Sequence, residues 1–256
     1  MKTHLLLALS LLTLISCATT GSKVTSGAKV ASGAKDCVVL LHGLARTDAS
    51  MAKLERTLAQ NSYKPVNIGY PSRKYTIEEL ANTVLPPAIA ECQDSISVNF
   101  VGHSMGGILV RQYLSEHEIR DLKHVVMLAP PNQGSELVDK LSTVPGFKAL
   151  NGPAGLQMGT GEMSVPKKLG PVDYSVGVIA GTDTINLILS KMLPRPNDGK
   201  VSVESTKVDG MADHITVPVS HPYIMKDNGV IEQVLYFLKN GEFEQEVSAY
   251  EELTVN

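Results

Sequence analysis

Val101-Gly102-His103-Ser104-Met105-Gly106-Gly107 is the stretch on which the reading of this chain turns. Before it, Ser97 to Val101 is a short apolar run that predicts a strand; after it, Met105 to Ser115 carries helical periodicity. A serine between glycines at a strand-to-helix junction sits on a sharp turn, so its flanks must tolerate close backbone approach and its own backbone must bear strain. The helix that starts behind it aims unpaired N–H groups and a positive dipole end at charge developing nearby. This is the G-x-S-x-G arrangement that presents a serine hydroxyl as a nucleophile, and the strand before and helix after set it apart from chance matches.

Outward from that turn the chain alternates apolar runs with amphipathic segments. Upstream, Cys37 to Leu41 predicts a buried strand, Ala49 to Gln60 a helix with Asp48 placed to cap it, and Pro65 to Gly69 a second strand. Ile77 to Glu91 predicts a helix interrupted by Pro86 and Pro87. Downstream, Val125 to Leu128, Ser175 to Ala180 and Ile215 to Val219 predict three more strands, and Val230 to Lys239 a closing helix. Such alternation calls for an α/β fold with a parallel sheet of about six strands covered by helices on both faces. The long Gly- and Pro-rich segment Pro130 to Asp173 is read as a pocket wall, through Leu137, Val144, Phe147, Leu150 and Leu156.

A second motif, Leu40-Leu41-His42-Gly43-Leu44, closes the first predicted strand. Together with the serine turn, it makes residues 37 to 240 resemble the bacterial lipase and esterase branch of the α/β-hydrolase family, in a minimal version without two further N-terminal strands. The resemblance implies an oxyanion hole from the backbone N–H groups of Leu44 and Met105, with His42 shaping its loop rather than transferring a proton. Pro130-Pro131-Asn132-Gln133-Gly134-Ser135 resembles the turn before the acyl pocket in lipase-like members.

The family's chain order of serine, acid and histidine leaves two acids and two histidines open. Asp183 directly follows a predicted strand, whereas Asp198 lies in Asn-Asp-Gly, which resembles the acid loop of bacterial lipases and whose turn presents a carboxylate well. Asp198 is preferred, with Asp183 read as a helix cap. His221 is preferred over His214 because it follows the last strand residue, Val219, where the active site of a parallel sheet lies, while His214 begins that strand. Pro222, Tyr223, Ile224 and Met225 after His221 lack the aspartate that binds calcium in some bacterial lipases, so neither metal nor cofactor is expected. In this fold the strands following Cys37 and Cys92 are neighbours, which brings both cysteines to the bottom edge of the sheet; a disulfide is expected, with a pair of buried thiols as the alternative.

The 256 residues are 43% hydrophobic and 19% charged, enough for one domain with a full core. A net charge of −3 and the absence of Trp argue against a nucleic-acid partner. Three cysteines are too few for a disulfide scaffold and lack zinc-ligand spacing. At the N-terminus, Lys2 precedes an apolar run from Leu5 to Ile15 that is too short for a permanent membrane span and reads as a secretory signal. Leu14-Ile15-Ser16-Cys17 resembles the lipobox of bacterial lipoproteins, a plain signal peptide being the alternative. The expected organisation is therefore a signal peptide over 1–16, an acylated Cys17 and flexible tether over 17–36, and the α/β domain over 37–256. Ala18, in place of an aspartate, points to an outer membrane, the domain facing the periplasm.

The expected activity is cleavage of acyl esters or lipids through an acyl-enzyme on Ser104, with Asp198 and His221 completing the triad. An acyltransferase sharing the same triad and a non-catalytic envelope lipoprotein are the alternatives.

Overall fold

Five consecutive apolar residues, Cys37–Leu41, form the strand β1, and all five are buried. Such a run suits a strand covered on both faces, and the two cores divide it by alternation. Val39 and Leu41 pack with Phe100, Ile108 and Leu80 on one face. Val38 and Leu40 pack with Val101, Leu54, Val234 and Phe237 on the other. The computed structural model describes residues 33–245. The signal peptide, Cys17 and the tether as far as residue 32 lie outside the described residues, as do residues 246–256.

The remaining strands are β2 (Lys64–Ile68), β3 (Val98–His103), β4 (Leu122–Leu128), β5 (Val176–Gly181) and β6 (Asp213–Val217). They form one sheet in the order β2-β1-β3-β4-β5-β6. Every pairing is parallel. The helices are α1 (Ala52–Gln60), α2 (Ile77–Ala90), α3 (Met105–Leu114), α4 (Glu136–Leu141), α5 (Phe147–Leu156), α6 (Val165–Lys168), α7 (Leu187–Ser190), α8 (Val203–Thr206) and α9 (Asn228–Asn240). Helices α2 and α3 cover one face and α1 and α9 the other. Lys35 and Asp36 already belong to the domain, their carbonyls accepting from the N–H groups of Ile96 and Lys64.

Local chemistry explains the helix ends. Thr76 and Glu79 form a reciprocal capping box at the start of α2. Asp227 caps α9 through the Val230 N–H.

Two expectations are corrected here. Asp48 does not cap α1: Asp48–Ser50 is a short 3-10 turn of its own, and the residue before α1 is Met51, which supplies no side-chain cap. Helix α2 is not interrupted, for it runs through Pro86 and Pro87. Both prolines are exposed while Leu85 and Ala88 are buried, so the hydrogen bonds lost to the rings lie on the side where water can replace them.

Cys37 and Cys92 are joined as a disulfide, their Cα atoms 5.6 Å apart. Cys37 opens β1 and pairs in register with Val98, the first residue of β3, so the bridge lies at the end of the sheet away from Ser104.

Candidate active site

Ser104 occupies the single-residue junction between β3 and α3, with φ 54° and ψ −122°. A non-glycine residue reaches this region only under strain, and the surroundings must hold it there. The Ser104 N–H donates to the Leu128 carbonyl at 2.8 Å, tying the turn to the end of β4. The two flanking glycines are required by space. A Cβ on Gly102 would stand 2.5 Å from the Gly107 nitrogen, and one on Gly106 would stand 2.5 Å from the Leu41 carbonyl oxygen. Either contact would push α3 off the sheet and move the hydroxyl.

His221 lies on the loop after β6 and reaches back to the turn. Its Nε2 is 3.1 Å from Ser104 Oγ and its Nδ1 is 2.7 Å from Asp198 Oδ2. The carboxylate requires the proton on Nδ1, which leaves Nε2 as the acceptor for the serine hydroxyl. Asp198 Oδ1 in turn accepts from the N–H groups of Lys200 and Val201, and the Asp198 side chain is 1% exposed. The backbone adds a further tie, since His221 N–H donates to the Asp198 carbonyl. A buried carboxylate with three donors is held in one orientation, and with it the imidazole plane.

The rival candidates fall elsewhere. Asp183 is exposed and accepts from the neighbouring Thr184 N–H. It does not cap a helix either: α7 is capped by Asn186, whose side chain accepts from Leu189 N–H. His214 stands on β6 with its Nε2 2.9 Å from Thr206 Oγ1. His42 stacks on Tyr70 with ring centroids 4.0 Å apart. Its Nδ1 meets the Gly43 carbonyl and its Nε2 accepts from Tyr70 N–H, so the ring is neutral and braces the loop. Burial pushes its pKa below the ordinary histidine value.

His103, which the sequence did not single out, belongs to the site. Its buried ring lies 4.9 Å from the His221 ring, and its Nε2 donates to the His221 carbonyl at 3.1 Å. Burial above all, then the neighbouring His221, holds its pKa well below the ordinary value. Arg111 is a second such residue. It is buried on α3 and its guanidinium reaches the Asn132 carbonyl and side-chain oxygen and the Gly170 carbonyl, fastening the segment after β4 to the helix behind Ser104. The only hint in the sequence was an arginine among the apolar residues of α3.

A cavity of about 360 Å³ opens beside Ser104 and His221. Leu44, Leu137, Val138, Leu141, Phe147 and Met158 make most of its wall apolar. The segment expected to form this wall does so through Leu137 and Phe147, but Val144 and Leu150 are 47% and 65% exposed. The wall is made of short helices: Val144 lies in the turn between α4 and α5, Leu150 faces outward from α5, and Leu156 does not line the cavity. Among the described residues, neither Leu44 N–H nor Met105 N–H donates to a protein acceptor. Leu44 lines the cavity and Met105 follows Ser104 directly, so both donors remain available to a ligand.

No family model matches the chain, and no curated protein matches it in sequence. Solved structures do resemble it. The mature form of lipase BlEst2 from Bacillus licheniformis aligns with a TM-score of 0.64 at 18% identity, covering 81% of this chain and 93% of that one. Phospholipase PlaB from Legionella pneumophila aligns with a TM-score of 0.63 at 16% identity, over 81% of this chain and 60% of that one. A monoacylglycerol lipase from Paleococcus ferrophilus aligns with a TM-score of 0.53 at 16% identity, over 80% of this chain and 94% of that one. Six parallel strands in this order, flanked by helices and joined at β3 to α3 by a strained serine, make this the α/β-hydrolase fold.

Proposed function

We propose that the protein is a serine hydrolase of carboxylic esters that works through an acyl-enzyme on Ser104. The observation that carries this reading is the single imidazole, His221, set between the Ser104 hydroxyl at 3.1 Å and the Asp198 carboxylate at 2.7 Å. His221 Nε2 takes the hydroxyl proton as Ser104 Oγ bonds to the ester carbonyl carbon. The oxyanion so formed is met by the N–H groups of Leu44 and Met105. As the tetrahedral centre collapses, the ester C–O bond breaks and Nε2 returns its proton to the departing alkoxide. Water then repeats the sequence on the acyl-serine, releasing the acid and restoring the hydroxyl. Asp198 stabilises the imidazolium formed at each stage. The apolar cavity beside Ser104 supports an acyl chain as the group transferred. The three similar structures named above are of lipolytic proteins, which agrees with this reading.

The reading includes an address. The segment Leu14-Ile15-Ser16-Cys17 supports export, acylation of Cys17 and attachment to the cell envelope, outer membrane and periplasmic side, which brings the domain to its lipid substrates.

The test is a set of three alanine variants assayed on a short-chain aryl ester. Ser104→Ala and His221→Ala each reduce turnover by roughly 10⁴-fold or more, because nucleophile and base act as a unit. His214→Ala stays within a few-fold of the unsubstituted protein. Circular dichroism confirms folding in each case. Near-normal turnover in folded Ser104→Ala removes the reading; loss with His214→Ala and retention with His221→Ala moves the base.

A further inference from the structure

A second cavity, of about 250 Å³, adjoins the first. It is lined by Ile185, Leu189, Pro222 and His221, but not by Ser104. Because His221 must return its proton to the departing alkoxide, the alcohol half of a bound ester lies on the imidazole side. The cavity shared by Ser104 and His221 then takes the acyl half, and the second cavity takes the alcohol half. Apolar walls at Ile185, Leu189 and Pro222 suit hydrocarbon on that half too. Beside this cavity, Leu187 and Ile188 of α7 are 66% and 78% exposed, extending the apolar surface outward.

Two cations stand where the cavities meet. Arg46, on the loop after β1, and Lys200, on the loop that carries Asp198, each line both cavities. Both are exposed, and among the described residues neither forms an ion pair. Among the described residues, no carboxylate lines either cavity except Asp198, whose oxygens accept from His221 and from the N–H groups of Lys200 and Val201. Two cations against the single Asp198 carboxylate leave the seam net positive beside the reacting ester, with hydrocarbon-lined space on either side.

Resting on the ester-hydrolase reading, we infer that the substrate is an acyl ester whose alcohol half bears a phosphate, as in glycerophospholipids and their lyso forms. Arg46 and Lys200 bind the phosphate oxygens at the seam. The guanidinium offers two parallel donors and the ammonium a point charge. The acyl chain to be cleaved fills the cavity walled by Leu137, Phe147 and Met158, and any second chain follows Ile185 and Leu189 outward.

The test compares two esters of the same acyl chain in neutral-detergent micelles: 1-acylglycerol 3-phosphate and the 1-acylglycerol that lacks the phosphate. The readout is the ratio of kcat/KM for the phosphate ester to that for the neutral one. In the full chain this ratio exceeds one. The double variant Arg46→Gln/Lys200→Gln lowers it by about tenfold or more, the loss of at least one charge-assisted hydrogen bond. Arg46→Lys/Lys200→Arg, which keeps both charges, retains most of it. Lys239→Gln, at the far end of α9, leaves it unchanged, which separates a local subsite from general attraction of the protein to charged micelles. A ratio at or below one, or one unmoved in the double Gln variant, overturns the inference. In that event hydrolysis of the neutral ester, with fluorophosphonate labelling at Ser104, leaves the ester-hydrolase reading standing. If neither ester is cleaved and Ser104 does not label, both fall together.

Discussion

Ser104 holds a backbone conformation that costs about 1–3 kcal/mol, and the hydrogen bond from its N–H to Leu128 helps keep it there. The same close packing buries histidines in neutral form. His42 and His103 both have pKa values pushed down by burial, and His214 is shifted the same way. The sign of the consequence follows directly. An unfolded chain binds protons at these rings near pH 6.5, whereas the folded protein still holds them neutral there. Stability is therefore full above about pH 6.5 and is lost as pH falls below it, by at most ~1.4 kcal/mol per pH unit for the fully buried His103 ring and by less for the partly buried His214, where solvent screens the charge. Urea unfolding at about pH 7.5 and about pH 5 measures the loss. It is smaller in His103→Gln, which removes a buried titrating ring; an unchanged loss would mean that His103 is already protonated in the folded state at the lower pH.

Elements in this protein are positioned by contacts at their ends. The turn from β3 into α3 rests on Gly102 and Gly106, where a Cβ would enter backbone atoms. At the opposite end of the sheet the Cys37–Cys92 bridge ties the start of β1 to the segment leaving α2, across 55 residues of chain. A closed loop of that length stabilises by about 2–4 kcal/mol, mainly through the unfolded chain. Cys37→Ala/Cys92→Ala is expected to lower the free energy of unfolding by about that amount. Turnover of a short ester should persist below the lowered melting point, because the bridge is remote from His221 and Ser104. Denaturant titration and a parallel esterase assay check both statements; collapse of activity in a folded double variant would place the bridge in control of the site.

For the whole molecule, residues 33–245 carry the proposed triad of Ser104, Asp198 and His221, and the proposed anchor lies in the segment before them. Anchor and chemistry are therefore separable. Cys17→Ser is expected to move the protein from the membrane fraction to the soluble one, while kcat/KM on a water-soluble short-chain ester stays within about twofold. Mass spectrometry of the unsubstituted mature protein should show an acylated N-terminal cysteine. A mature protein beginning elsewhere and free in solution would remove the anchor and leave the hydrolase reading intact.

Local pattern was enough for several features. It marked the six described strands to within a few residues. Strands β1, β3 and β5 are buried throughout and leave a continuous apolar signal, whereas the edge strands β2 and β6 are only partly buried and leave a weaker one. The serine turn was legible because each of its glycines answers a contact made within a few residues or with the adjacent strand. Helices were less legible: Asp48 looked like a cap because the pattern does not separate a 3-10 turn from the helix behind it, and Pro86-Pro87 looked like a break because the pattern does not say which side of a helix faces water. The acid and base could be ranked from Asn-Asp-Gly and from the end of β6. Their meeting depends on distances between residues 23 and 117 positions apart, which no local periodicity encodes. The same holds for the disulfide, for His103 under His221, and for Arg46 and Lys200 at one seam. Each of these pairs is made by strand order, which brings the ends of separate β–α units together where the sheet stops.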